Sequence, residues 1–515
     1  MPFYDPLPSP AEMAAWDRQA IEAGVRNEML MENASREALA VLRSMLGGIR
    51  GKRVLLFAGP GNNGGDAIAL ARHLHDQDAN VLLLHTRPKS SYKGVSGYHM
   101  RLATMCGVSM LHLAGPVPAL PWRPDAVVDG LLGTGFKGSL RGGFAAWIDV
   151  INYIGEASRV LALDIPSGLN GLTGEPQPKA VRAHATVTFH AAKQGLVLPT
   201  AAPHVGQLHV RAIGIPKRVV MAHPASCGLI TGRVAALLPK PDPAMDKFAA
   251  GRVAVAGGSA GLTGAPLLAA LGAYRAGAGL VHVACPEALG PVIKADVPEV
   301  MTMGLGPGEA WSASCAAPLM AREDVNVLVV GPGLGREPGA RAFLDALLRP
   351  IVRRHPMVLD ADGLYWLSQA SSLYEGFGIN DVLTPHEGEM ARLMGVDRTM
   401  VSADRAGMAR ALAEKSRVTV VLKGAATVVA APGRPVMVSP FAAPTLAVGG
   451  SGDVLAGVLA AIMARGIPSF EAACLGVYWH GYCGMLLTRA FPMRGNTARD
   501  IVETLPTAIK EMTAC

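Results

Sequence analysis

A glycine-rich stretch that ends in a carboxylate is the first candidate for chemistry in this chain. Residues 449–453 read Gly-Gly-Ser-Gly-Asp, and the apolar run 454–463 behind them predicts a buried helix. Backbone N–H groups can gather where no side chains intervene, and a helix N-terminus attracts anions. A carboxylate there would repel a phosphate unless it accepts a proton from the group that attacks the phosphate. The stretch predicts phosphoryl transfer with Asp453 as the base, although the helix dipole alone also favours an acid in this turn.

Three further glycine-rich turns follow predicted buried strands in the first half of the chain. These turns cover residues 59–66, 130–139 and 165–170, and two of the strands end in Asp129 and Asp164. Ligands of an open parallel sheet bind outside the carboxyl ends of its strands. Each turn alone would be an ordinary connection from strand to helix, but together they predict one ligand pocket.

The first of these turns has the form G-x-G-x-x-G, which is also found in dinucleotide-binding dehydrogenases. Those enzymes need an acidic residue at the end of the next strand, and here that strand ends in Thr86 and Arg87. The turn instead contains two asparagines and an aspartate, whose oxygens suit a monovalent or hard cation. A dehydrogenase is therefore the weaker interpretation.

Composition places the chain among α/β proteins with more than one domain. It has 515 residues, of which 50% are apolar and 17% charged, and it contains 60 glycines. This length predicts two or three domains, and apolar strands are typical of sheets covered on both faces. The net charge is +7, but no Lys/Arg tract is present, so we expect an anionic small-molecule ligand and no nucleic acid.

Cysteine usage and hydropathy predict a cytoplasmic protein. The seven cysteines include no Cys-x-x-Cys pair, which argues against disulfides and a zinc site. The N-terminus lacks the basic-then-apolar pattern of a signal peptide. No uncharged apolar run approaches the roughly 18 residues that a membrane span requires.

Periodicity predicts alternating strands and helices in both halves. Two amphipathic helices are expected at 10–24 and 27–46, with Met29 among the apolar positions, and the Pro/Ala-rich segment 215–246 is interpreted as a connection. We therefore predict an N-terminal domain at 1–220 and a C-terminal domain at 221–515. Each is expected to be a sheet, parallel or mostly parallel, between two helical layers.

The first half, from about Pro8 to Ile215, resembles the NAD(P)H-hydrate epimerase domain, which has a Rossmann-like fold. The residues that carry this resemblance are 61–66, 129–135 and 164–168. The resemblance implies a potassium ion on Asn63, Asp129 and Ser167. It also implies that the hydrated nicotinamide nucleotide is held by Asn62, Asn63, Gly64, Gly65, Asp66, Gly133, Thr134, Gly135, Phe136, Lys137, Gly138, Ser139 and Asp164.

Epimerisation inverts a ring carbon that carries a hydroxyl group. Oxygen must be expelled and added again, which requires a proton carrier next to that carbon. Asp164 is our first candidate for this role. Lys193 is a second candidate, and the alternative for Lys193 is an ordinary solvated lysine on the surface.

The second half contains no P-loop motif and resembles the ribokinase-like superfamily, within it the ADP/ATP-dependent NAD(P)H-hydrate dehydratases. The resemblance covers about residues 246–507. It implies contacts with the hydrate at Ala265, Gly333, His386 and Asp453. It implies contacts with the adenine nucleotide at Lys423, Gly424, Ala425, Ala426, Thr427 and Gly452.

Two features of this half leave alternatives open. His386 could simply begin a helix, and Glu387 and Glu389 could serve a magnesium phosphate or be ordinary first-turn acids. The segment 441–447 lacks the Gly-Asn-rich approach that the family usually has, so one polar contact is in doubt. The base and the glycine amides are unaffected.

The two resemblances together imply a repair enzyme for NADHX and NADPHX, the hydrated forms of NADH and NADPH. The first domain would interconvert R and S epimers. The second would phosphorylate the S epimer with ADP or ATP, with Mg²⁺ accompanying the nucleotide, and elimination of phosphate would restore NAD(P)H. A homo-oligomer is expected from the family. The alternatives are a ribokinase-like small-molecule kinase with an accessory ligand-binding domain, and a first domain that is only a sensor or interaction module.

Overall fold

A computed structural model describes residues 2–136, 138, 140, 142–240, 242–295, 297–349, 355–492 and 494–514, with backbone only at 371 and 372. Lys137 and Ser139, both expected in the N-terminal ligand site, lie outside the described residues. The chain forms two compact units, one of Pro6–Cys227 and one that combines Met1–Asp5 with Gly228–Cys515.

The strands and α-helices follow in chain order. The strands are β1 (Tyr4–Pro6), β2 (Arg53–Ala58), β3 (Asn80–His85), β4 (Met110–His112), β5 (Ala126–Gly130), β6 (Arg159–Leu163), β7 (Ala185–Phe189), β8 (Gln207–Arg211), β9 (Cys227–Ile230), β10 (Arg252–Ala256), β11 (Leu280–Cys285), β12 (Met301–Gly304), β13 (Val327–Val330), β14 (Met357–Leu359), β15 (Val382–Leu383), β16 (Thr419–Leu422), β17 (Val428–Ala430) and β18 (Val436–Val438). The helices are α1 (Pro10–Glu22), α2 (Asn27–Leu46), α3 (Asn62–His75), α4 (Gly94–Met105), α5 (Phe144–Gly155), α6 (Ala202–Val205), α7 (Lys217–Ala222), α8 (Gly264–Arg275), α9 (Gly290–Lys294), α10 (Ala316–Met320), α11 (Pro338–Leu347), α12 (Asp362–Ser368), α13 (Glu387–Met394), α14 (Arg398–Ala403), α15 (Arg405–Ser416), α16 (Ser451–Ala464), α17 (Ser469–Ala490) and α18 (Ala498–Ala514).

The Pro6–Cys227 unit contains a seven-stranded sheet in the order β4-β3-β2-β5-β6-β7-β8, and all its strand pairs are parallel. Successive β2 residues point to opposite faces, as strand geometry requires. Leu56 packs in a core with α1 to α4, whereas Phe57 packs in a separate core with α5. The three-layer, Rossmann-like architecture expected from the sequence is confirmed.

The second unit contains an eleven-stranded sheet in the order β1-β9-β18-β17-β16-β15-β14-β13-β10-β11-β12. Strands β10 to β16 pair in parallel, and β17 and β18 are antiparallel. The sheet is thus mostly parallel, as predicted. Its largest buried core includes α8, α16, α17 and α18. Within the described residues, no helix combines the length and apolar character needed to cross a bilayer.

The division between the units differs from the predicted one at 220/221. The segment 215–246, interpreted as a connection, contains α7 and β9, and the units divide between Cys227 and Gly228. Strand β1 joins the sheet of the second unit, where the Thr231 N–H donates to the Phe3 carbonyl at 3.1 Å. Strands β1 and β9 are too short for an alternation of apolar and polar residues to distinguish them from coil in the sequence.

Two local predictions are corrected by the structure. Helix α3 begins at Asn62, so the residues from Asn62 to Asp66 form its first turns rather than a loop. Met29, expected on the apolar face of α2, is 55% exposed. The sequence did not predict the start of α3 at Asn62, because Gly64 and Gly65 have low helix propensity.

Candidate functional sites

A cavity of about 660 Å³ lies at the carboxyl ends of β2, β5, β6 and β7 in the first unit. The structure brings most of the predicted ligand residues together there. The predicted residues that line the cavity are Asn62, Asn63, Asp66, Gly133, Thr134, Gly135, Phe136, Asp164 and Lys193.

Three of the glycines predicted to hold the ligand do not line this cavity. A Cβ at Gly64 would lie 1.9 Å from the Gly59 carbonyl oxygen, and one at Gly65 would lie 2.6 Å from the Met31 methyl group. Gly64 and Gly65 are therefore glycine because α3 packs closely against its neighbours. Gly138 is exposed with a φ of +86°, which favours glycine for backbone reasons.

Lys193 and Asp164 form a buried ion pair at the cavity. Lys193 is 1% exposed, so the alternative of a solvated surface lysine is wrong. Its ammonium group donates to Asp164 Oδ1, to Thr188 Oγ1 at 2.9 Å and to the Phe189 carbonyl at 3.1 Å. Asp164 has a φ of +58°, an uncommon value for a non-glycine residue. Strained backbone of this kind concentrates at functional sites.

The predicted potassium ligands lie close together around Leu132, whose backbone is hydrogen-bonded to both Asn63 and Ser167. Asp129 is fully buried and accepts hydrogen bonds from the Ser167 N–H at 2.7 Å and the Ser167 hydroxyl at 2.6 Å. Asn63 donates to the Leu132 carbonyl at 2.9 Å, whereas its own Oδ1 is buried with no hydrogen-bond partner among the described residues. Burial raises the pKa of Asp129 to about 6, although hydrogen bonds from Ser167 and Leu131 lower it.

Sequence reasoning missed Asp17, a further carboxylate that α1 contributes to the cavity beside Asp66 and Asp164. Burial raises its pKa to about 6, Lys193 lowers it and Asp164 raises it. Asp66 is more deeply buried, and this burial together with Asp164 and Asp17 raises its pKa well above the usual value. The helical spacing of α1 shows that the helix has two faces, but nothing in the sequence indicates which face a ligand occupies, so Asp17 could not be found.

In the second unit, Asp453 is the third residue of α16, whose N-cap is Gly450 with a φ of +89°. Its surroundings raise its pKa to about 7, with burial as the largest cause. The charges of Asp360, Asp362 and Glu389 add to this effect, and Lys423 opposes it. A carboxyl group with this pKa exchanges its proton near neutral pH, as a general base should.

Lys423 contacts the same group of side chains. Its ammonium group donates to Asp360 Oδ1 at 2.5 Å and lies 4.0 Å from Glu389 Oε2. A Cβ at Gly452 would lie only 3.1 Å from Lys423 Nζ, so glycine leaves room for the ammonium group beside Asp453. Asp360 directly follows β14 and is 1% exposed, and the sequence alone gave it no role.

The residues around His386 mostly build a helix start. His386 Nδ1 accepts from the Gly388 N–H at 3.0 Å, and Glu389 Oε2 accepts from the His386 N–H at 2.8 Å, which completes a capping box. Burial and the nearby Lys423 lower the pKa of His386. Glu387 accepts hydrogen bonds from Arg405, Arg398 and Ser402. Among the alternatives, this favours ordinary helix chemistry for Glu387.

The remaining predicted contacts lie on neighbouring loops. Gly333 and Ala265 are adjacent, because a Cβ at Gly333 would lie 3.4 Å from the Ala265 Cβ. The predicted nucleotide loop connects β16 to β17 and contains Gly424, Ala425, Ala426 and Thr427. It is held by a 2.8 Å hydrogen bond from Thr427 Oγ1 to the Gly424 carbonyl.

The divergent segment 441–447 is well packed despite its lack of asparagine. The Phe441 carbonyl accepts from the Ala426 N–H at 2.9 Å, so the segment supports the nucleotide loop. Asn496 donates to the Thr445 carbonyl at 2.8 Å and leaves its buried Oδ1 without a partner in the described part of the chain. An amide from elsewhere in the sequence thus reaches this segment.

Comparison with known proteins covers both units. A family model described as NAD(P)H-hydrate dehydratase matches residues 253–507, and one described as YjeF-related protein N-terminus matches residues 27–195. A bifunctional NAD(P)H-hydrate repair enzyme from Moorella thermoacetica is 38% identical over 98% of this chain and 97% of the relative. A second, from Thermanaerovibrio acidaminovorans, is 37% identical over 96% of each chain.

One similar solved structure is an ADP/ATP-dependent NAD(P)H-hydrate dehydratase from Bacillus subtilis, co-crystallised with ATP and Mg²⁺. It is 28% identical with a TM-score of 0.47, and the match covers 54% of this chain and 96% of the Bacillus chain. The similarity to the Moorella and Thermanaerovibrio proteins, both named bifunctional NAD(P)H-hydrate repair enzymes, extends over almost the whole chain. On that full-length similarity, the chain belongs to the family of bifunctional NAD(P)H-hydrate repair enzymes.

Proposed function

We propose that this chain converts hydrated nicotinamide cofactors back into NADH and NADPH in two steps. The first unit interconverts the R and S epimers of NADHX or NADPHX, and the second converts the S epimer into NADH or NADPH with ADP or ATP. The observation that carries the second step is Asp453, a carboxyl group with a pKa of about 7 at a glycine-capped helix start. Glycine amides for the phosphate and a base for the hydroxyl group are what phosphorylation of an alcohol requires.

In the second unit, Asp453 takes the proton of the hydrate's hydroxyl group while that oxygen attacks the terminal phosphate. The amides at the start of α16 hold the charge of the transferred phosphoryl group. Lys423, which is bound to Asp360, keeps a positive charge next to Gly452. Phosphate then leaves in place of hydroxide, the neighbouring ring carbon releases a proton to solvent, and the ring double bond is restored.

Potassium fits the first unit, where an orphaned oxygen and a buried carboxylate lie together. Asn63 Oδ1 has no partner in the described chain, and Asp129 is fully buried with only hydrogen-bond donors around it. We propose Asn63, Asp129 and Ser167 as its ligands, since amide, carboxylate and hydroxyl oxygens suit a hard cation. A bound potassium ion would supply a fixed positive charge for an anionic ligand.

This proposal is tested by thermal unfolding in KCl and in NaCl at equal ionic strength. A ligand of the folded state raises the melting temperature, so we expect a higher value in KCl. Asn63→Ala should abolish the difference. Asn80→Ala, which removes an exposed amide bound to the Gly51 carbonyl, should preserve it. Equal melting temperatures of the unmodified protein in both salts would contradict a specific potassium site.

Magnesium is proposed to arrive with the nucleotide phosphates. Glu389 is our candidate oxygen ligand, because burial raises its pKa to about 7 even though Lys423 lowers it. Lys423, 4.0 Å away, does not fully offset this burial, and a divalent cation would add positive charge. Glu387 is less suitable because arginines already occupy its oxygens. Cytoplasmic location and a homo-oligomer stay predictions.

The decisive experiment gives the purified protein each separated hydrate epimer, with and without ADP or ATP and Mg²⁺. We expect R to yield S without nucleotide, and S to yield reduced cofactor and inorganic phosphate only with nucleotide. Recovery is followed by the absorbance of the reduced nicotinamide ring. A stable phosphorylated alcohol as the final product would support the kinase alternative, and failure to interconvert epimers would support a sensor role for the first unit.

A further inference from the structure

Helix α1 forms one wall of the cavity in the first unit. The residues that it contributes recur at helical spacing and are Met13, Ala14, Asp17, Arg18 and Ile21. Trp16 and Ala20, between them in sequence, are buried in the core. This spacing of three and four residues gives α1 one face toward the ligand and one toward the protein. Asp17 is the only carboxylate on the cavity face among these residues.

Asp17 differs from Asp164 in how its oxygens are occupied. Asp164 Oδ1 accepts hydrogen bonds from Lys193, from Thr188 at 3.2 Å and from the Phe189 N–H at 3.4 Å. In the described chain, by contrast, no hydrogen-bond donor reaches either oxygen of Asp17. The Asp17 carboxyl group is therefore available to a ligand, and its charge interacts with Lys193 and Asp164 inside the same cavity.

Inversion at the hydroxyl-bearing carbon makes different demands on the two faces of the ring. On one face, a carboxylic acid gives its proton to the hydroxyl group. The C–O bond then breaks and a water molecule departs, so that the positive charge is shared by the carbon and the ring nitrogen. On the other face, a water molecule forms a new C–O bond and gives a proton to a carboxylate. One proton moves from the first carboxyl group to the second, and solvent returns it.

We propose that Asp17 is the second proton carrier of the epimerase site, acting on the ring face opposite to Asp164. This inference rests on the proposed function, because it assigns a residue to one of its two reactions. The two carboxyl groups come from different elements, α1 and the turn after β6, and both line the cavity. A ring bound between α1 and the turn after β6 would present one face to each carboxyl group.

Asp66 is a weaker candidate for this role. It is buried with 8% exposure, and its pKa is raised well above the usual value by that burial and by Asp164 and Asp17. A carboxyl group that stays protonated at neutral pH can donate a hydrogen bond to the ligand but cannot readily accept a proton. Arg18, next in sequence to Asp17, also lines the cavity and adds positive charge there.

The protonation state of the Asp17 and Asp164 carboxyl groups predicts how the epimerisation rate depends on pH. In the active form these two carboxyl groups share one proton. Three donors occupy Asp164 Oδ1, so this proton lies on Asp17. The pKa of Asp17 is about 6, and the epimerisation rate should therefore fall as pH rises through about 6. Lys193, Arg18 and the titratable carboxyl group of Asp66 also line this cavity.

The test compares the full-length protein with Asp17→Asn, Asp17→Glu and Glu22→Gln, a matched change at an exposed carboxylate of the same helix. Epimer exchange is measured across pH and in H₂¹⁸O, with dehydration of the S epimer as a check on the rest of the chain. We expect Asp17→Asn to exchange epimers at least roughly 100-fold more slowly and to lose the fall in rate near pH 6, which we call the pH limb. Asp17→Glu should keep a pH limb at a shifted pH. Glu22→Gln should match the unmodified protein in both rate and pH dependence.

Several results would overturn the inference. Asp17→Asn could exchange epimers within threefold of the normal rate, or it could be slow but keep the same limb. If Asp17→Asn does not fold, an unmoved limb in Asp17→Glu has the same meaning. Inversion without ¹⁸O uptake would exclude expulsion and re-addition of oxygen. If the unmodified protein exchanges no epimers at all, the proposed function itself fails.

Discussion

The two units use the same set of charged groups in different surroundings. Each has a buried lysine–aspartate pair at the carboxyl end of its sheet, Lys193 with Asp164 and Lys423 with Asp360. Each also has a carboxylate on a helix, Asp17 in α1 or Asp453 in α16, and burial is the main cause of its raised pKa. In both sites the lysine lowers that pKa, so the pair limits how strongly the helix carboxylate is shifted.

The difference lies in where the helix carries its carboxylate. Asp453 occupies the first turn of α16 behind a glycine cap, whereas Asp17 lies within α1, well after its Ser9 cap. The free amides that can hold a phosphate near Asp453 belong to the same helix turn as Asp453 itself. At the first cavity the free amides belong to the start of α3, a different helix from the one that carries Asp17. Phosphorylation of an alcohol needs the base and the amides side by side, whereas proton transfer needs only the carboxylates and the lysine.

The largest expected effect comes from Asp453→Asn. The amide keeps the size of the side chain but cannot accept the hydroxyl proton, so dehydration of the S epimer should slow by about 10²- to 10⁴-fold. Epimer exchange in the same protein is the internal control and should be unchanged. An undiminished rate of cofactor recovery in Asp453→Asn would remove the proposed base and with it the contrast between the units.

Breaking the lysine–aspartate pair of the first unit should destabilise that unit. Lys193→Met leaves the Asp164 carboxylate buried without its cation, at a cost of about 3–5 kcal/mol in the free energy of unfolding. Adding Asp164→Asn should recover much of this stability but no epimerase activity. Thermal unfolding and epimer exchange measure the two effects separately.

Lys179→Met is the matched control for this change. Lys179 forms a 2.8 Å ion pair with Asp149 at the surface, and exposed pairs contribute only about 0–1 kcal/mol. Lys423→Met applies the same change to the second unit and should leave epimer exchange intact. Similar unfolding of the Lys179→Met and Lys193→Met variants would contradict a special role for the buried pair.

A smaller effect is expected from the glycines that hold each site in place. The methyl group of Gly64→Ala would lie 1.9 Å from the Gly59 carbonyl oxygen, so α3 must move and the unfolding free energy should fall by about 1–3 kcal/mol. Gly61→Ala has no heavy atom within 4 Å of its added Cβ and should leave stability nearly unchanged. In the second unit, Gly457→Ala meets the Ala269 carbonyl at 1.9 Å and should behave like Gly64→Ala. Equal melting temperatures for Gly61→Ala and Gly64→Ala would contradict this packing.

The sequence predicts the layers and the strand ends well, because buried parallel strands read as continuous apolar runs. Asp164 and Asp453 could be found because each directly follows or begins such an element. Asp17 could not, since helical periodicity shows that α1 has two faces but not which one a ligand occupies. The pairing of Lys423 with Asp360 depends on parallel strands that are distant in sequence, and the position of Glu389 next to them is likewise set by tertiary contacts.

The boundary between the units shows a different limit. Strand β1 and strand β9 are far apart in sequence and only three and four residues long. Their membership in one sheet is decided by tertiary pairing, which outweighs the weak local preferences of short strands. A prediction made along the chain therefore assigned residues 1–5 to the domain that follows them in sequence.

The smallest expected effect, and the most direct test of the comparison, is the pH dependence of the two activities. Asp453 acts as a base and must be ionised, so dehydration should rise with pH up to about 7 and fall about tenfold per pH unit below it. Epimer exchange should show the opposite slope near pH 6, because Asp17 must carry the shared proton. Glu389→Gln removes a charge that raises the pKa of Asp453 and should move the dehydratase limb to lower pH without moving the epimerase limb. Slopes of the same sign, or a Glu389→Gln variant that shifts both limbs, would mean that the helix carboxylates do not control the two reactions separately.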